Sequence, residues 1–221
     1  MGWTKYFHCS QSLQKRYDML RTAAPVKRRS FKLQHGGDSI PSVTIHVGDI
    51  HVSDTPVKIK TILGSCIAAC MYDPSTRIGG MNHFLLPGEL NSLDLSTRYG
   101  VNAMEMLINE MMKLGANRLR LQAKVFGGAD IFRTNHTLMM VGKKNIKFIR
   151  GFLETERIPV LSERLGGNEG LIVQYVAQTF EVFIKPVSTD RYKQQEEEET
   201  KFYKKIASEL VKRDSENITL F

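Results

Sequence analysis

Three cysteines in 221 residues are too few, and of the wrong parity, for a disulfide framework. The count fits a reducing compartment and leaves thiols free for chemistry. Long apolar runs are missing too: none reaches the roughly 18 residues that a membrane-spanning helix needs, and no continuous apolar stretch follows a basic start at the N-terminus. The expectation is a cytoplasmic protein without membrane insertion. Metal-ligand spacing is equally scarce. Cys66 and Cys70 stand four apart, but no second such pair and no His-x-x-x-His accompanies them, and His46 and His51 have no carboxylate or cysteine at ligand spacing. No metal is expected. The glycine pair Gly127-Gly128 lacks both a Walker lysine-serine pair and a full Gly-x-Gly-x-x-Gly fingerprint, so a tight turn is the simpler reading and no cofactor is expected.

Positive charge is present in excess, with a formal net value of +8, and its location matters. Residues 1–40 carry eight Lys/Arg against two Asp, residues 41–187 sixteen against thirteen, and residues 188–221 seven against eight. Most of the excess therefore sits in a basic leader, read as a disordered extension that stays solvated or touches phosphates or an anionic surface. No helix-turn-helix, zinc-finger or aromatic RNA-binding signature joins it, so nucleic acid is not an expected partner.

Residues 41–187 read as one domain. Val43, Ile45 and Val47 alternate with polar neighbours, and Val57 to Leu63 forms the next strand. A helix capped at Ser96 or Thr97 runs to Leu114 with Val101, Met104, Leu107, Ile108, Met111 and Leu114 on one face. Arg118 to Phe126 alternates like a strand. A second helix begins at Asn145, a strand follows from Val160, and Leu171–Val176 with Phe180–Ile184 makes a hairpin. The fold class is α/β (α+β): a mixed, mainly antiparallel sheet or sandwich flanked by two or more helices. Residues 188–221 are a charged extension. Glu196 to Glu199, then Phe202, Ile206 and Leu210 at four-residue spacing, can form an amphipathic helix, either solvated or docking a partner.

The stretch that organises the chain is Leu63 to Pro87. Asp73-Pro74 followed by small polar residues marks a turn between two short apolar runs, hence a hairpin. Centring the loop between Pro74 and Ser75 makes facing positions sum to 149, which sets Cys66 opposite His83. A one-residue slip separates them onto opposite faces. Gly64-Ser65 before the cysteine lets the backbone turn closely and leaves peptide N–H groups near sulfur, where an oxyanion could bind. The alternative, that Cys66 and Cys70 are small buried hydrophobes, stays open at this point.

Leu63-Gly64-Ser65-Cys66, Tyr72-Asp73-Pro74, Gly79 to Pro87, Arg98-Tyr99-Gly100, Lys124 to Ala129 and Leu165-Gly166-Gly167 follow one another as they do in the chemoreceptor glutamine deamidase (CheD) family, which residues 43–187 resemble. The resemblance implies a cysteine-hydrolase fold like the catalytic domain of the cytotoxic necrotizing factors. It implies a protein-glutamine glutaminase, an amidohydrolase that converts glutamine side chains on the cytoplasmic helices of methyl-accepting chemotaxis receptors to glutamate; the same thioester chemistry could accept a glutamyl methyl ester as a side reaction. Cys66 would be the nucleophile, His83 the base and Thr61 the third member, with Gly64 and Ser65 at the oxyanion. Phe126, Gly127 and Gly128 are candidates for substrate or partner contact, with core packing the other reading of Phe126. A CheC-like phosphatase is an implied partner. The alternative within this setting is a non-catalytic docking module that binds receptors or such a phosphatase. After Gly167 the chain departs from the family pattern, with Asn168-Glu169-Gly170-Leu171 where a basic pair and a Thr-Gly turn are usual.

Overall fold

A computed structural model describes residues 40–86, 93–130 (93–98 as backbone only) and 141–187, and of the tail residues 197, 199–202, 204–206 and 208. The basic leader before residue 40, Pro87 and Leu210 lie outside the described residues. Nine strands and two α-helices are described: β1 (Ser42–Thr44), β2 (Ile50–Ser53), β3 (Lys58–Leu63), β4 (Ile67–Asp73), β5 (Ile78–Phe84), α1 (Leu93–Lys113), β6 (Gln122–Gly127), α2 (Val141–Thr155), β7 (Val160–Leu165), β8 (Leu171–Val176) and β9 (Glu181–Pro186). They form two open sheets, ordered β1-β3-β8-β9 and β2-β5-β4-β6-β7. Neighbours are antiparallel except β1 with β3 and β6 with β7. The mixed, mainly antiparallel α/β architecture is the one the sequence pattern called for.

The sheets are held by period-two alternation. Cys66, just before β4, and Ala68 and Cys70 within it pack with Ile59, Leu63, Val173 and Tyr175 of the four-stranded sheet. The intervening Ile67, Ala69 and Met71 pack instead with the helices. Buried on both faces, Ile67 to Met71 of β4 must be apolar, which explains the unbroken run. From α1, Met104, Leu107, Ile108 and Met111 are buried in that second core, and two glycines let neighbours close in. A Cβ at Gly80 would lie 2.8 Å from Leu107, and one at Gly79 only 2.3 Å from the Ala177 carbonyl oxygen.

Several element boundaries differ from expectation. Helix α1 starts at Leu93, before the anticipated cap at Ser96 or Thr97, and Leu114 falls beyond its end, 37% exposed. The strand expected from Arg118 begins only at Gln122, because Asn117 accepts a bond from the Leu119 N–H and starts one 3-10 turn over Arg118–Arg120. There Arg118 pairs with Glu105 and Glu156 while Leu119 is exposed. Helix α2 begins at Val141, a turn ahead of Asn145, and Phe180 belongs to the β8–β9 turn at φ 59° rather than to a strand.

Candidate active site

The β4–β5 hairpin exists, but its register is not the one the turn residues suggest. Asp73 pairs with Ile78, so the loop is the four residues Pro74 to Arg77, and facing positions sum to 151 rather than 149. Asp73 sets this length. Its carboxylate accepts the Ser75 N–H, its carbonyl accepts the Arg77 N–H, and Arg77 takes φ 58° to close the turn. Ala68 therefore faces His83, and Cys66 sits just before β4. The correction is two residues, an even number, so Cys66 and His83 remain on one face of the sheet. Their side chains meet diagonally.

Thr61 reaches the same place from the other sheet. In β3, Ile59, Thr61 and Leu63 point inward while Lys58, Lys60 and Ile62 do not. The Thr61 hydroxyl lies 2.8 Å from both the Ile45 carbonyl oxygen and His83 Nδ1. A carbonyl only accepts, so the single hydroxyl proton goes to Ile45 and Thr61 Oγ1 must accept from His83 Nδ1–H. That fixes the tautomer and leaves Nε2 unprotonated. Nε2 is buried and has no hydrogen-bond partner among the described residues. Burial, with a contribution from His46, brings the His83 pKa down from 6.5 to about 3.

Cys66 is fully buried, and its thiol is pushed well up by burial and then by the Glu199 carboxylate. Glu199 belongs to the charged tail, whose described residues near it have helical backbone. It is only 1% exposed, unlike a solvated appendage. Its Oε1 accepts the Gly64 N–H at 2.8 Å, and its Oε2 accepts the Ser65 N–H at 3.0 Å and the Ser65 hydroxyl at 2.7 Å. The donors around Gly64-Ser65 thus do converge on a carboxylate. Cys66 Sγ, a His83 ring nitrogen and a Glu199 oxygen all lie within 4.8 Å of one another. A thiol, an imidazole and a carboxylate are competent metal ligands by type, but both oxygens of this carboxylate are already turned toward N–H and O–H donors.

Gly127 and Gly128 brace the Gly64–Cys66 loop from behind. Gly128 N–H donates to the Cys66 carbonyl at 2.7 Å and Ala129 N–H to that of Gly64 at 2.9 Å. At Gly127, φ is 109° and an added Cβ would fall 2.1 Å from the Cys66 carbonyl oxygen, so only glycine fits. Phe126 is 4% exposed in the inter-sheet core, which matches the packing reading rather than a groove contact. His46 is exposed and His51 half-buried. Two site residues escaped the sequence reading. Asn145 Nδ2 donates to the Ser65 carbonyl at 2.7 Å while its Oδ1 accepts the Leu86 N–H at 2.8 Å, tying the loop to the exit of β5. Its trace in the sequence is an amide on the buried face of α2, in line with Ile149 and Phe152. Glu199 leaves a similar trace, three residues before Phe202 on the apolar face of its helix.

A thiol on a glycine-braced turn, an imidazole of fixed tautomer and converging N–H donors are the groups that a cysteine-dependent hydrolase uses. The family described as "CheD chemotactic sensory transduction" matches residues 85–186, beginning just past His83. Curated relatives extend further. A protein of Ruegeria sp. (strain TM1040), "Probable chemoreceptor glutamine deamidase CheD 1", is 42% identical over 181 residues, 81% of this chain and 95% of the relative. "Probable chemoreceptor glutamine deamidase CheD" of Caulobacter sp. (strain K31) is 48% identical over 146 residues, 64% and 76% of the two chains. Its counterpart in Rhizobium rhizogenes is 51% identical over 127 residues, 56% and 67%. The chain belongs to the CheD family.

Proposed function

We propose that the protein is a protein-glutamine deamidase acting on methyl-accepting chemotaxis receptors, with Cys66 as nucleophile, His83 as general base and Thr61 as the group that orients it. The observation that carries this reading is the hydrogen-bonded series His83 Nδ1–H to Thr61 Oγ1 to Ile45 carbonyl, which leaves Nε2 unprotonated on a ring that lies beside the thiol. The family membership supports the substrate.

In the reaction, His83 Nε2 takes the Cys66 proton and sulfur attacks the amide carbon of a glutamine side chain. The carbonyl oxygen, becoming an oxyanion, lies where the Glu199 oxygens are seen, against the Gly64 and Ser65 N–H groups. A good donor of this kind contributes about 3 kcal/mol to the barrier. The imidazolium then gives its proton to the leaving ammonia, producing a thioester. Water loses a proton to the same nitrogen, adds to the thioester and releases glutamate and the thiol. A glutamyl methyl ester, losing methanol instead, follows the same course. Thr61 takes the place that Asn or Asp holds in other cysteine hydrolases.

A free catalytic thiol suits a reducing compartment, which with the absence of a described helix long and apolar enough to cross a membrane supports a cytoplasmic setting. A CheC-like phosphatase as partner rests on the family resemblance alone. Mass spectrometry of receptor peptides incubated with the protein tests the function: each converted glutamine gains about one dalton. Wild type should produce the shift and Cys66→Ala should not. Receptor binding without any shift would favour the docking module, and full activity in Cys66→Ala would remove the thiol from the mechanism.

A further inference from the structure

The family and the mechanism above account for Cys66, His83 and Thr61, but not for a glutamate from the chain's own tail buried beside the first two. Hydrolysing a glutamine side chain yields a glutamate. Glu199 is chemically that product, presented from helical backbone, with its two oxygens on Gly64 N–H, Ser65 N–H and the Ser65 hydroxyl. We propose that Gly64-Ser65 is a binding site for a glutamyl carboxylate, and that the tail segment carrying Glu199 and Phe202 occupies it as a built-in product mimic that closes the active site. The substrate-like part of this inference rests on the deamidase reading; the closure does not.

Two contacts fix the segment. Glu199 fills the donor cradle beside the thiol. Phe202, three residues on and so on the same helical face, packs against the inter-sheet core and over Gly48, where an added Cβ would lie 2.8 Å from its ring. Gly48 N–H donates to the His83 carbonyl, so the ring sits over a residue tied to the strand that carries the imidazole. With the segment in place Cys66 is 0% exposed, Ser65 1% and His83 2%, which leaves no path for a protein side chain. The charge acts in the same direction. A carboxylate beside the thiol disfavours the thiolate, as burial does. Substrate entry and thiolate formation therefore both require Glu199 to leave, and a receptor helix offering a glutamine competes for the vacated cradle. A partner that draws off the tail would switch the enzyme on.

The test is the alkylation rate of Cys66 by iodoacetamide in the full chain, mapped by peptide mass. Cys70, buried in the adjoining strand β4, reports whether the fold is intact. Wild type should react slowly, and Glu199→Ala, which loses three hydrogen bonds to the cradle, and Phe202→Ala, which loses the packing over Gly48, at least about tenfold faster. Cys70 should stay protected in all three. Phe202→Ala is the milder change, because its ring is only half-buried, and it decides the matter should Glu199→Ala loosen the whole fold. Equal Cys66 rates in wild type and in the variants that protect Cys70 would overturn the closure. Receptor deamidation measured on the same samples separates the two claims. Faster labelling without deamidation keeps the closure and removes the enzyme reading, whereas unchanged labelling with active deamidation does the reverse.

Discussion

His83 is held neutral by its surroundings, and the consequence is a stability that depends on acid. Its pKa falls from 6.5 to about 3 in the folded protein. Between those values the unfolded chain carries a proton on this ring that the folded chain lacks, so stability is complete above pH 6.5 and drains away as pH drops toward 3. Denaturant titrations at pH 7 and pH 5 should show this loss in wild type and a smaller one in His83→Gln; equal losses would mean that the ring is not buried neutral. Thr61 acts on the same ring. Thr61→Val removes the acceptor for Nδ1–H and frees the other tautomer, so kcat should fall by about 10²-fold or more with KM little changed, while Thr61→Ser keeps most activity. A Val variant as active as the Ser variant would make the hydroxyl a packing group only.

At the scale of elements, the site depends on how loops are tied to strands and helices. Asn145 is the clearest case, since one side chain holds both the Ser65 carbonyl and the Leu86 N–H. Asn145→Ala orphans two buried groups at about 1–3 kcal/mol each, so it should lower the unfolding free energy by roughly 2–6 kcal/mol and also displace the Ser65 N–H donor. Thermal unfolding gives the first effect and kcat at saturating receptor peptide the second; an active variant of unchanged stability would contradict both. The hairpin shows what local chemistry does and does not tell. Asp73-Pro74 identified a turn, and alternation placed Cys66 and His83 on one face. Where the loop is centred depends on the bonds Asp73 makes to Ser75 and Arg77, and the dipeptide does not encode those. The register was therefore missed by two residues while the pairing survived. Likewise the alternation at 118–121 looks extended, but the Asn117 cap, visible only once its side chain is placed, winds it into a 3-10 turn.

For the whole molecule, two sheets closing on one core bring Thr61 of one sheet against His83 of the other. The layered α/β class was legible from periodicity, because amphipathic helices and alternating strands admit few packings. The Cys–His pair was legible because a hairpin makes it local. Glu199 was not: it meets Gly64 across 135 positions, and its run of four glutamates reads as a solvated face. Nothing in a helical period says which distant loop will accept a carboxylate.

That carboxylate also offers the most direct test of the account. Glu199→Gln would place a glutamine side chain in the cradle beside Cys66, with its own carbonyl against the Gly64 and Ser65 donors. Followed by intact mass and by mapping residue 199, the full-length variant should regain about one dalton as the glutamine returns to glutamate. The rate should not depend on protein concentration, and the change should be absent in Glu199→Gln combined with Cys66→Ala. A Glu199→Gln protein whose mass stays fixed, or one that converts equally without Cys66, would contradict the account.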